Sequence, residues 1–88
     1  MPVTVYVIRS TTSGRRYIGI TNDLSRRLRE HCSKSTKAGQ LLGHFELIYR
    51  ESLPDHSAAR KRERFLKSGR GRKWLDSLEG RSGPARGG

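Results

Sequence analysis

The chain has 88 residues, enough for one domain and not for two, and its 32% hydrophobic content allows only a thin core. No apolar run approaches the length that crosses a bilayer, MPVTVYVIRS lacks the layout of a secretory signal, and the single Cys32 excludes an internal disulfide or a multi-cysteine zinc cluster. Nineteen Lys and Arg against eight Asp and Glu leave a formal charge of +11, a field that draws polyanions, nucleic acid first among them in a reducing intracellular setting.

Val3 to Ile8 is apolar at nearly every position and rich in β-branched residues, which predicts a buried strand. Thr11-Thr12-Ser13-Gly14 is turn chemistry, and Arg16 to Ile20 is a second strand, so residues 3–20 read as a hairpin. Thr21, Asn22 and Asp23 offer N-caps for a first helix from Asp23 to Cys32, with Leu24 and Leu28 as an i,i+4 apolar pair. Residues 33–43 read as a polar, flexible loop and His44 to Arg50 as a third strand. Ser57 is a plausible cap for a helix reaching Lys67, Ser68 to Gly71 breaks it, and Arg72 to Leu78 makes a short last helix. The expected architecture is a small α/β (α+β) domain over residues 1–79, with a three-stranded, mainly antiparallel sheet, flanking helices and the order β-β-α-β-α-α. Residues 80–88 are expected to be a flexible, basic, Gly-rich tail. An anionic membrane surface is a poor partner, because the helices spend their apolar faces on the core.

Glu63 stands out as the only acid among eight Lys and Arg between Arg60 and Lys73. Its helical neighbours Ala59 and Leu66 place it at the border of the apolar stripe, where it either serves as a hard oxygen ligand for Mg²⁺ or pairs with Arg60 or Lys67. Arg27 and His31, four residues apart on the first helix, share a face suited to a phosphate, although Arg26 and Arg29 make a plain basic face equally natural. Tyr6 and Tyr17 lie on adjacent strands. A lone strand tyrosine is usually core, and a phenol acting as base needs about three units of pKa depression from neighbouring cations. Gly19 either allows a close backbone approach or ends a strand. His44 and His56 stand isolated, and Cys32 beside His31 makes no metal site.

Together these residues resemble the GIY-YIG nuclease superfamily, in particular its small single-domain bacterial members. Val5-Tyr6-Val7 matches the first motif, without its leading Gly, and Tyr17-Ile18-Gly19 the second. Arg27 falls ten residues beyond the second tyrosine, His31 four further on, and Glu63 in the glutamate place of AARKRERFLKSGRGRKWL. The asparagine that some members carry near the domain's end is absent, as is an appended DNA-binding domain.

The resemblance implies a one-metal endonuclease acting on DNA, directed by structure more than by sequence, in repair or processing. Tyr6, Tyr17, Arg27, His31 and Glu63 would be the catalytic set, and Glu63 would hold one Mg²⁺ or Mn²⁺, with no haem or nucleotide cofactor. Lys34, Lys37, Arg60, Arg64, Lys67, Arg70, Arg72 and Lys73, with Gly19, would line the nucleic-acid contact. A cytoplasmic, nucleoid-associated monomer or weak dimer, with DNA or RNA as partner, fits that activity. Two alternatives remain open at this point: a non-catalytic basic DNA- or RNA-binding module, and a basic protein recruited to acidic partners.

Overall fold

The computed structural model describes residues 2–32 and 44–82, with side chains described to residue 79. The expected loop at 33–43, with Lys34 and Lys37, and the tail from residue 83 lie outside the described residues. The order is β1 (Val3–Ser10), β2 (Arg16–Thr21), α1 (Leu24–Cys32), β3 (Phe45–Leu53), α2 (His56–Lys67) and α3 (Gly69–Ser82). This is the expected β-β-α-β-α-α, with β1 central in an antiparallel sheet of order β2-β1-β3. None of the described helices is long and apolar enough to cross a membrane.

Ser10 builds the hairpin turn. Its hydroxyl accepts from the Thr12 and Ser13 amides at 3.3 and 3.1 Å, and its carbonyl from the Gly14 amide at 3.0 Å. Gly14 takes φ +77°, a left-handed conformation that glycine adopts without strain.

Side chains alternate across a strand, so β1 divides the molecule into two layers. Val3, Val5 and Val7 pack on Ala59 and Leu66 of α2 and Leu75 of α3, with Ile18, Ile20, Ile48 and Leu53 around them. Each fully buried Val or Leu contributes about 1.5–3 kcal/mol relative to exposure. The opposite face carries Tyr6, Ile8 and Ser10, also buried. A bulge at Val7/Ile8 shifts the β1–β3 register by one residue, bringing Leu47 opposite Ile8 and Phe45 opposite Ser10.

Three helical expectations need correction. Asp55, two residues before Ser57, caps α2: its backbone is extended at φ −156° and its carboxylate accepts from the Ala58 amide at 2.9 Å. The break between the last two helices is a single residue, Ser68. Its hydroxyl and carbonyl receive the Gly71 and Arg72 amides, so α3 starts at once. At its far end α3 continues to Ser82, so residues 80–82 of the expected tail are helical. The carboxylates of Asp76 and Glu79 bind Arg16, and Glu79 also binds Arg9, which ties this helix to the end of the sheet.

A second brace joins β3, α2 and α3. The Arg62 guanidinium lies 5.0 Å from the Phe65 ring and 5.1 Å from that of Trp74, and its Nε donates to Glu51 at 2.9 Å. Tyr49 donates to the same carboxylate at 2.6 Å and meets Trp74 edge-on.

At Gly71 a Cβ would run into the Phe65 carbonyl and the Leu66 backbone, whereas Gly69 faces open space. Gly71→Ala is therefore expected to lower stability by about 1–3 kcal/mol, and Gly69→Ala to leave it unchanged or slightly raised. Urea unfolding of the two variants measures the difference.

Candidate functional site

Tyr6 is fully buried at the centre of β1, and Gly19 of β2 stands opposite it. A Cβ at Gly19 would sit 2.6 Å from the Tyr6 hydroxyl and 3.1 Å from the Tyr17 ring. The glycine lies within β2 and not at its end, and it makes room for the two phenols. Their rings meet edge-on at 6.2 Å between centroids.

The third ring comes from α1. Asp23 caps this helix, accepting from the Arg26 amide at 3.1 Å, and Thr21 in turn accepts from the Asp23 amide. The helix phase thus fixed turns Arg27 and His31 towards the sheet. His31 is 1% exposed, with Nε2 3.1 Å from the Tyr6 hydroxyl. Its ring meets Tyr17 edge-on at 5.3 Å and Phe45 at 6.0 Å. The Arg27 guanidinium lies beside the Tyr6 oxygen and pairs with Glu30 at 3.1 Å, while its buried Nε has no partner.

Burial raises the Tyr6 pKa, and the Arg27 hydrogen bond opposes that without reversing it. Burial lowers the His31 pKa; repulsion from Arg27 adds to the effect, and Glu30 offsets part of it. Both displacements keep the proton on the phenol and the imidazole neutral near pH 7. The Arg27 guanidinium alone does not offset the desolvation of a phenolate within the sheet.

The structure brings Tyr6, Tyr17, Arg27 and His31 together. Glu63 lies on α2, which packs on the valine face, and its carboxylate pairs with Lys67 at 3.0 Å. No group of three or more His, Cys, Asp or Glu gathers among the described residues. A Mg²⁺ site does not demand one, since this ion keeps several waters and takes one or two carboxylates plus substrate phosphate. A lone carboxylate, 23% exposed, suits such an ion provided Lys67 withdraws.

Among the expected nucleic-acid contacts, Lys67 and Arg72 line a cleft of about 540 Å³ that Tyr17 also borders. Arg60, Arg64, Arg70 and Lys73 are exposed on α2 and α3. Sequence reasoning missed Phe45 and Glu30. The bulge that aims Phe45 at His31 leaves no sequence mark, but the i,i+3 spacing of Arg27 and Glu30 was visible.

The family model for the GIY-YIG catalytic domain matches residues 2–74. The chain belongs to the GIY-YIG family. It is 42% identical over 60 residues to the UPF0213 protein YE0453 of Yersinia enterocolitica, over 67% of this chain and 61% of that protein. It is also 42% identical over 71 residues to the UPF0213 protein ORF82 of Orgyia pseudotsugata multicapsid polyhedrosis virus, covering 77% and 66% respectively. The chain thus spans less than two thirds of the length of these curated relatives. The solution NMR structure of the UPF0213 protein BH0048 from Bacillus halodurans superposes with a TM-score of 0.55 at 32% identity, over 91% of this chain and 87% of that one. In GIY-YIG terms, the two motif tyrosines are Tyr6 and Tyr17, and the motif glycine is the residue that lets them meet.

Because the folded protein holds His31 below its ordinary pKa, the unfolded chain binds more protons as pH falls through about 6.5. Stability should therefore drop on acidification below that point and hold steady above it. His31→Phe should flatten this limb between pH 7 and 5, read from urea midpoints across the range.

Proposed function

We propose that this GIY-YIG domain binds nucleic acid through its basic helices and hydrolyses phosphodiester bonds in DNA at the Tyr6, Tyr17, Arg27 and His31 cluster. The observation that carries the reading is the buried Tyr6–His31 hydrogen bond flanked by an Arg27 guanidinium whose buried Nε has no partner. A phenol and an imidazole held fully buried beside a guanidinium form a costly arrangement for a core, and a serviceable one for a phosphate.

In this reading Arg27 donates to the phosphoryl oxygens as charge builds on them. Tyr17, half-buried at the edge strand, is better placed than Tyr6 to take the proton of the attacking water once ionised. Tyr6, kept protonated and oriented by His31, positions the phosphate as a donor. Glu63 would hold one Mg²⁺ or Mn²⁺, which when bound polarises the scissile phosphate and stabilises the departing 3′ oxygen. A role in DNA repair or processing goes with such an activity.

A second reading, a basic nucleic-acid-binding module that does not cut, has two observations in its favour. Lys67 already occupies Glu63, and burial keeps Tyr6 from ionising. The +11 charge supports binding under either reading.

A cleavage assay on single-stranded, duplex, flapped and branched DNA and on RNA, with Mg²⁺, Mn²⁺ or EDTA, separates them. Metal-dependent products should vanish in Glu63→Ala and fall about 10²–10³-fold in Arg27→Ala. Tight binding without products from the wild type would establish the second reading instead.

Binding should weaken steeply with salt in both cases. Replacing Arg70 and Lys73 by Ala should flatten the slope of log affinity against log salt by about 0.7–0.9 per cation removed, measured by fluorescence anisotropy in EDTA.

A further inference from the structure

Strand alternation sorts the charges of the sheet onto two sides. On β3, Tyr49 and Leu53 pack against the valine core and Glu51 reaches Arg62 of α2, so Arg50 and Ser52 face the tyrosine side. Arg9 and Arg16 point the other way and are engaged by Glu46, Asp76 and Glu79. Both strand carboxylates, Glu46 and Glu51, thus belong to the helix side. Among the described strand residues, Arg50 is the one charged group on the tyrosine side. It is exposed and has no ion pair among the described residues.

Arg50 stands opposite Tyr6 in the β1–β3 register, as Gly19 does on β2. Directly opposed residues of an antiparallel pair have Cβ atoms about 4.5–5.5 Å apart, within the reach of an arginine side chain. The Arg27 guanidinium already lies beside the Tyr6 oxygen. Two arginines therefore approach one tyrosine from different elements, Arg27 from α1 and Arg50 from β3. Arg27 is partly answered by Glu30, whereas the acids flanking Arg50 in the chain are turned to the other side. Like charges brought together in this way repel, and a bound anion removes the repulsion. A DNA strand offers a row of phosphates, each suited to the guanidinium fork.

Building on the nucleic-acid reading above, we infer that Arg50 is a phosphate-binding residue of this site, holding the strand phosphate next to the one that Arg27 takes. The tyrosine side of the sheet, and not the helix side alone, then carries the backbone of the bound strand.

The test is a double-mutant cycle of affinities, read by fluorescence anisotropy in EDTA, where cleavage plays no part. The probe is a labelled flapped DNA, which offers paired and unpaired strands together. Arg50→Gln, which keeps most of the stem, should weaken binding at least about fivefold. Arg50→Lys should restore most of the loss, since an ammonium also binds phosphate. In an Arg27→Ala background Arg50→Gln should cost less than about half as much on the log scale, because a strand released at one phosphate no longer presents the next. Lys61→Gln, the same charge loss on an exposed α2 residue, should cost the same in both backgrounds. Additive losses for Arg27 and Arg50, or no loss from Arg50→Gln, would overturn the inference and leave the nucleic-acid reading standing. A loss that Arg50→Lys does not restore, with a lowered urea midpoint, would mark a structural role and overturn it as well. Absence of binding by the wild type would overturn both. Independently of any variant, the side-chain Nε–H resonances of Arg27 and Arg50 should shift together when the wild type is titrated with thymidine 3′,5′-bisphosphate. A shift of Arg27 alone would limit the site to one phosphate and overturn the pairing.

Discussion

A central strand buried on both faces leaves its residues no slack in register, and β1 is such a strand. A slip of one position would send Val5 and Val7 to the polar side and drive Tyr6 into the helices packed on the valine face. The valines fix the helical layer, and by doing so they fix where the Tyr6 phenol emerges. Gly19 then has to lie opposite it, because a side chain there would occupy the position of the phenol oxygen. The site inherits its precision from hydrophobic alternation on the other side of the sheet. A rigid platform of this kind holds reacting groups in place better than a loop does.

The polar cluster works against its own ionisation. Burial pushes Tyr6 up and His31 down, and both stay neutral across the physiological range. A neutral imidazole that donates its Nε2–H to the phenol oxygen adds no charge beside Arg27 and leaves the phenol hydrogen free, whereas a protonated one would repel the guanidinium. On the nuclease reading proposed above, that arrangement would suit His31 to orienting Tyr6 and leave proton transfer to the more accessible phenol. It also identifies desolvation, more than charge, as the quantity that a bound phosphate would alter.

Features written in short-range spacing were legible in the sequence. The β-branched run gave β1, and Arg27 and His31 four residues apart gave a shared helix face. The tyrosine pair gave the two strands and, through the family resemblance, the candidate site. What escaped depends on contacts between elements distant in the chain. Arg16 reaches Asp76 and Glu79 across some sixty residues, and those pairs help to carry α3 beyond its expected end at Leu78. Arg62, seemingly one more surface cation, is stacked between Phe65 and Trp74. The packing role of Gly19 was not legible because its constraint comes from a side chain on another strand. The Asp55 cap was, by contrast, visible locally, since Asp ranks with Ser among the preferred N-cap residues and Asp55 lies two positions nearer the start of the apolar pattern.

The chain's eight carboxylates show how it divides its charge. Asp23 and Asp55 cap helices, and the other six form ion pairs within the fold. The acids are thus committed to internal structure, and the surplus of Lys and Arg is left to define the outer field. Five of those six are held by arginine, whose planar fork is pre-organised for a carboxylate. Among the described ion pairs, Glu63 alone is held by a lysine, on a side chain that is 55% exposed. An i,i+4 pair of this kind contributes only about 0.3–0.5 kcal/mol. Glu63 is therefore the carboxylate a cation can claim with least damage to the fold, since removing any of the others would cost a helix cap or an arginine brace.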